Sequence, residues 1–127
     1  MGKYGDAAIE ATTFLLTGKE NSPLEAWASA VRAIFPKSIS SQRKGCPKTA
    51  YLGLCEEGLI RGVPPGKYTR ASGNKSYAIS AVKLLRKEPA LAGNKEMLWS
   101  KVMRGERKRP NNQMDVVIAL WKRGLIL

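Results

Sequence analysis

Cationic side chains are concentrated in two stretches, each just ahead of an apolar helical pattern. They are Lys37, Arg43, Lys44 and Lys48 in the first stretch, and Arg104, Arg107, Lys108 and Arg109 in the second. Ammonium and guanidinium groups neutralise phosphates, and the unpaired N–H groups at a helix start orient an anion. The sequence therefore predicts two basic loops at helix starts that bind the phosphates of a nucleic acid.

A further group of basic residues flanks the turn formed by residues 63–66. The basic members are Arg61, Lys67 and Arg70, and the aromatic Tyr68 lies among them. In helix-turn-helix proteins a segment after the third helix can form a wing beside the nucleic acid. We include these residues in the predicted surface. The competing interpretation is that all these charges simply form a solvated face.

Cys46 is the one candidate for a reactive group. A thiol at a helix start beside Lys44 and Lys48 is expected to have a lowered pKa and some thiolate character. Without a histidine to act as its base, a structural role at the helix start is the preferred interpretation. Cys46 and Cys55 lie nine residues apart in one predicted helix, too far for a disulfide.

The chain contains no histidine, which excludes Ser-His-Asp and Cys-His catalysis and HExxH metal sites. The glycine-rich dinucleotide and phosphate-loop motifs are missing as well. Glu56 and Glu57 are adjacent at a helix end, so we expect them to point apart rather than to act as an acid–base pair. We predict no catalytic residue, no metal, no cofactor and no enzymatic activity; a phosphate-ligand or Cys46-dependent enzyme is the remaining catalytic alternative.

The net charge of +12 over 127 residues is unevenly distributed. Residues 1–36 contain three basic and four acidic side chains, whereas residues 37–127 contain nineteen basic and six acidic ones. The strongly basic segment 37–127 predicts a polyanionic partner. No apolar stretch could span a bilayer and no secretory segment is evident, so we expect a cytoplasmic protein without a membrane partner.

Apolar periodicity predicts about six helices in a mostly α, single compact domain covering residues 1–127. They fall near residues 4–17, 23–35, 47–57, 76–87, 95–103 and 112–123. Ser22 and Glu25 form a capping box around Pro23, and Cys46 followed by Pro47 indicates the start of the third helix. Residues 60–70 predict either a short hairpin or an irregular turn, because two prolines disfavour a sheet.

The six helices form two similar series of three. Residues 4–60 resemble residues 74–126 at offsets of 66 to 71, and each series ends in Gly-Leu-Ile. This predicts an internal repeat of two trihelical, helix-turn-helix-like halves. The two Leu-Ile tails are expected either to pair as short strands or to pack on a shared core.

Several motifs resemble those of a family of small, uncharacterised bacterial proteins. They are Ser22-Pro-Leu-Glu-Ala-Trp27, Lys44-Gly-Cys-Pro-Lys48, Leu52-Gly-Leu-Cys-Glu-Glu-Gly-Leu59, Tyr77-Ala78, Gln113-Met-Asp-Val-Val117 and Ala119-Leu-Trp121. The resemblance covers nearly the whole chain and implies a bacterial, intracellular, single-domain protein. It carries no activity, cofactor or site residue.

The leading functional hypothesis is a non-catalytic module that binds DNA or RNA through phosphates, with little sequence specificity. The alternative from another class is a protein–protein adaptor or homodimer that uses an apolar patch at residues 125–127. An exposed tail in the structure, or a dimer by light scattering, favours the second hypothesis, whereas a buried tail in a monomer counts against it.

Overall fold

Seven α-helices and one 3-10 segment make up the regular structure in this computed structural model, which describes residues 2–70 and 72–127. The helices are α1 (Gly2–Leu16), α2 (Pro23–Ile34), α3 (Ile39–Gln42), α4 (Gly45–Glu56), α5 (Gly73–Lys87), α6 (Lys95–Met103) and α7 (Gln113–Lys122). The 3-10 segment Pro89–Gly93 connects α5 to α6. The mostly α prediction with about six helices is confirmed; the single turn α3 was not predicted.

Local capping explains several of the helix boundaries. Ser22 Oγ accepts a hydrogen bond from the Glu25 backbone N–H at 3.2 Å, and Asn94 Oδ1 accepts one from Met97 at 3.1 Å. Gly58, at φ +71°, ends the turn after α4 in the left-handed conformation that glycine adopts without strain.

The predicted start of the third helix is wrong by two residues. Lys44 is the N-cap of α4, so Cys46 and Pro47 are its second and third residues. A proline is tolerated there because the first N–H groups of a helix have no intrahelical partner to lose.

The apolar helix faces merge into one core. On α4 the side chains of Tyr51, Leu54 and Cys55 are fully buried in this core. Trp27 stacks on Tyr51 with ring centroids 5.3 Å apart, whereas Trp121 at the end of α7 is only half-buried. Trp27 is therefore a core residue, and Trp99 is 7% exposed.

One hydrogen-bond chain crosses this core. The Thr12 hydroxyl donates to the Ala8 carbonyl at 2.9 Å and lies 2.8 Å from the Tyr51 hydroxyl. Because Thr12 has a single hydroxyl proton, Tyr51 must be the donor to Thr12. Burial raises the pKa of Tyr51 well above its usual value, so the phenol stays protonated and able to donate.

α4 packs on α5, and α7 packs on α1. In each case the last helix of one predicted half contacts the first helix of the other. At the α1–α7 crossing a Cβ on Gly5 would lie 2.8 Å from the Ala119 Cβ, and at the α4–α5 crossing a Cβ on Gly53 would lie 2.6 Å from the Lys75 Cβ. Lys75 is 70 residues after Gly5, and Ala119 is 66 after Gly53. The two crossings thus correspond at the offsets of the proposed repeat, which itself stays a prediction.

The two Leu-Ile tails meet in an antiparallel bridge between Ile60 and Ile126. The Arg61 N–H donates to the Leu125 carbonyl at 2.8 Å, and the Leu127 N–H donates to the Leu59 carbonyl at 3.0 Å. Within the apolar patch suggested for an adaptor, Ile126 is buried and Leu125 is half-buried, whereas Leu127 is 55% exposed.

The hairpin alternative for residues 60–70 is wrong. Within the described residues this segment forms no strand beyond the bridge at Ile60. Pro64 and Pro65 lack the N–H donors that a hairpin ladder requires.

Replacing Thr12 with valine tests the buried hydrogen-bond chain. Thr12→Val keeps the shape but removes the acceptor of the Tyr51 hydroxyl, so we expect the free energy of unfolding in urea to fall by about 1–3 kcal/mol. Thr13→Val is the matched control, since Thr13 is exposed and its hydroxyl donates to the Ile9 carbonyl of its own helix, and its change should stay within about 0.5 kcal/mol. Equal effects of the two substitutions would contradict this role for Thr12.

Candidate anion-binding surface

The first predicted loop is divided by α3. Lys37 precedes α3 and is exposed, Arg43 is its exposed C-cap, and Lys48 is half-buried in the first turn of α4. Lys44 behaves differently: its Nζ donates to Asn112 Oδ1 at 2.6 Å and lies 5.3 Å from the Tyr4 ring centroid. Lys44 therefore connects the α4 start to the α7 start and is partly engaged within the chain.

The start of α7 holds the chain's own carboxylate. Asp115, in the first turn, is 4% exposed; its oxygens accept from Lys95 Nζ at 3.0 Å and from Asn112 Nδ2 at 2.7 Å. The Asp115 carboxylate already interacts favourably with the positive N-terminal end of the α7 dipole, which argues against an outside anion there. The first turn of α4, in contrast, has no acidic side chain.

The second predicted loop is anchored on α6 by Lys108. Its carbonyl accepts a hydrogen bond from Trp99 Nε1 at 2.9 Å, and its Nζ lies 5.3 Å from the Tyr77 ring centroid. The Tyr77 and Trp99 rings meet edge to face at 5.5 Å. Arg104, Arg107 and Arg109 are exposed around this anchor. The loop thus presents its guanidinium groups from a fixed position.

The predicted wing lies instead against the C-terminal end of α4. The backbone N–H groups of Tyr68 and Thr69 donate to Glu56 Oε1 at 2.7 and 3.2 Å, and the Tyr68 hydroxyl donates to the Pro64 carbonyl. Lys67 and Arg70 are exposed beside them. Arg61 is separate, with its Nε bonded to the Gly124 carbonyl at 3.0 Å. These residues do not form a strand-based wing.

Glu56 and Glu57 converge on Lys75, which corrects the expectation that they point apart. Lys75 Nζ lies 2.5 Å from Glu56 Oε2 and 2.8 Å from Glu57 Oε1. The hydrogen bond from Lys75, followed by the two backbone N–H donors, lowers the pKa of Glu56 from its usual value near 4.5 to about 2. The hydrogen bonds from Lys75 to Glu56 and Glu57 raise the pKa of Lys75.

One group of facing cations was not predicted. Lys83 and Lys87 on α5 face Lys101 and Arg104 at the end of α6 across a cleft of about 180 Å³, which Ser80 and Leu84 also line. No acidic side chain lines this cleft; the nearest described ion pair is Lys101 with Glu88, at 3.9 Å. The available signal was the spacing of the two pairs, which puts each on one face of its helix.

Cys46 has no partner that would activate it among the contacts of the described residues. It is half-buried in α4, and Cys55 is buried; both thiols are free. Burial raises the pKa of Cys55 to about 12, so that thiol is inert. In the part of the chain that the structure describes, no three His, Cys, Asp or Glu side chains cluster closely enough to hold a metal ion.

Comparison with known proteins places the chain in a family. Residues 1–127 match the family of unknown function DUF6979. The chain belongs to this family. No curated protein and no solved structure matches this DUF6979 chain. None of its described helices combines the length and the apolar character that crossing a membrane requires.

The pH dependence of stability tests the Glu56 contacts. Because the pKa of Glu56 is lower in the folded protein, its contribution is complete above about pH 5 and is lost as the pH falls toward 2. We expect Glu56→Gln to unfold at lower urea concentration than the parent at pH 7, with the difference closing near pH 2. Glu57→Gln, at a more exposed carboxylate, should show a smaller difference. A gap for Glu56→Gln that does not change with pH would contradict the assignment.

Proposed function

We propose that this chain is a non-catalytic, cytoplasmic protein that binds the sugar-phosphate backbone of DNA or RNA with low sequence specificity. The observation that carries the proposal is the α5–α6 cleft, where four cations face one another without an acidic side chain in the lining. The basic loop 104–109 continues directly from it. The contact surface is therefore centred on this cleft and extends along the loop.

Electrostatics supports a ligand at this cleft. Like charges that share a concave surface repel one another, and folding alone gains nothing from placing them there. The macrodipole favours a cation at each helix C-terminus, which accounts for Lys87 and Lys101 individually. It does not require the cations of two helices to face each other. A bound polyanion removes the repulsion.

The distribution of charge along the chain supports the same contact surface. Residues 73–109 contain ten basic and three acidic side chains, whereas residues 1–36, which include α1 and α2, contain three and four. Among the described residues, ion pairs within 4 Å involve the cations Lys75, Lys95 and Lys101. The remaining cations in 73–109 make no such pair, so their field extends into solvent and can steer a polyanion.

The side-chain chemistry favours backbone contact over sequence readout. Lysines on flexible stems neutralise phosphates as point charges and carry no base information. In α4, which a helix-turn-helix protein would place in the groove, Glu56 and Glu57 are instead bound to Lys75. Binding of this kind depends on salt rather than on sequence.

Fluorescence anisotropy with labelled single-stranded DNA and RNA over a range of salt concentrations tests the proposal. The double variant Lys83→Gln/Lys101→Gln removes two phosphate contacts, so the slope of log affinity against log salt should become shallower by about 1.4. The matched control Lys3→Gln/Lys19→Gln removes the same charge from α1 and the turn after it, and should leave the slope nearly unchanged.

Two results would overturn the proposal. One is the absence of binding at low salt, or binding that does not respond to salt. The other is an equal loss in the cleft variant and the control, which would mean that only net charge matters and that the α5–α6 cleft is not the contact surface.

A further inference from the structure

Two cavities lie on either side of the last turn of α6. The α5–α6 cleft is lined by Lys101 and Arg104 on this helix. A larger cavity of about 490 Å³, between α6 and residues 105–110, is lined by the neighbouring Ser100 and Met103. Since successive residues point about 100° apart around a helix, the two cavities share one turn as their common wall.

The larger cavity differs chemically from the cleft. Its α6 wall includes Trp99 and Met103, which are nearly buried apolar side chains, and its rim includes Arg107 and Arg109. Glu106 is the one acidic residue in the lining. An aromatic and thioether wall beneath guanidinium groups suits a flat, electron-rich ring, because nucleobases stack on aromatic and guanidinium planes.

We propose that the last turn of α6 binds one unpaired nucleotide, with its phosphate in the α5–α6 cleft and its base in the cavity under residues 105–110. This inference rests on the proposed function and narrows it to single strands. A duplex keeps its bases stacked inside and cannot deliver one to the cavity without unpairing. The cleft's two cation pairs, at i,i+4 and i,i+3, lie along helix faces at a spacing suited to neighbouring phosphates of one strand.

The backbone at Arg104 supports this location. Arg104 is the C-cap of α6 with φ +50°, a left-handed conformation that glycine or asparagine usually occupies and that is strained for other residues. Glycine would fit this turn with less strain, so the guanidinium group is placed at the cleft at some cost in backbone conformation. Arg104 lines the cleft and stands one residue from Met103 in the other cavity.

The experiment compares three probes of about twelve nucleotides by anisotropy: a single strand, its duplex, and an abasic strand of equal charge. We expect the single strand to bind at least about fivefold more tightly than either of the others, which is the smallest effect of one stacked base. Adenosine monophosphate serves as a competitor, and we expect it to displace the strand only at concentrations far above the strand's dissociation constant.

Arg104→Gly separates binding from folding. Because it relieves backbone strain, its melting temperature should equal or exceed that of the parent, while single-strand affinity should fall at least about threefold. Lys19→Gln, which removes one charge after α1, is the control and should retain affinity. A lower melting temperature with unchanged affinity would overturn the role of Arg104.

The outcomes also separate the inference from the proposed function. Equal binding of intact and abasic strands, or of single strand and duplex, would overturn the nucleotide site while leaving phosphate-backbone binding intact. Adenosine monophosphate that binds as tightly as the strand would overturn the strand as the source of the nucleotide. Binding of none of the nucleic acid probes would overturn both.

Discussion

The structure depends on two helix crossings, at each of which one helix presents a glycine to the other. Gly5 lets α7 approach α1, and Gly53 lets α4 approach α5; a Cβ at either position would come closer than 3.0 Å to the opposing helix. These crossings pack α7 on α1 and α4 on α5, and the segments that follow α4 and α7 meet at the bridge between Ile60 and Ile126. They also fix α5, because Lys75 then reaches Glu56 and Glu57. With that end of α5 held by acidic groups, Lys83 and Lys87 remain directed toward α6.

The lysines of α5 thus have different surroundings on the two sides of the helix. Toward α4, Lys75 is paired with two carboxylates, and Glu56 also binds two backbone N–H groups of the segment after α4. Toward α6, the cations of the cleft face one another, with Glu88 as the nearest carboxylate in an ion pair. The first arrangement stabilises the fold, whereas the second places like charges near one another, which is electrostatically unfavourable for the isolated chain. This contrast within one helix is the physical basis of the proposed function.

Local patterns predicted the helices well, because Ser22, Asn94 and Gly58 act on their own neighbours in sequence. The site was less predictable, because its chemistry depends on distant contacts. Lys44 looked free in the sequence but binds Asn112, and nothing near Glu56 indicated that it would bind the backbone of Tyr68. Lys83 and Lys87 were not among the predicted site residues, because only the packing of α5 on α6 places them opposite Lys101.

Amide chemical-shift mapping by NMR tests the central claim most directly, because it locates the bound ligand without altering any residue. During titration with a short single-stranded DNA at low salt, we predict that the largest shifts occur at Lys83, Lys87, Lys101 and Arg104 and along residues 105–109, while α1 and α2 change little. Shifts concentrated on α1 and α2, or spread evenly over all surface amides, would contradict the account.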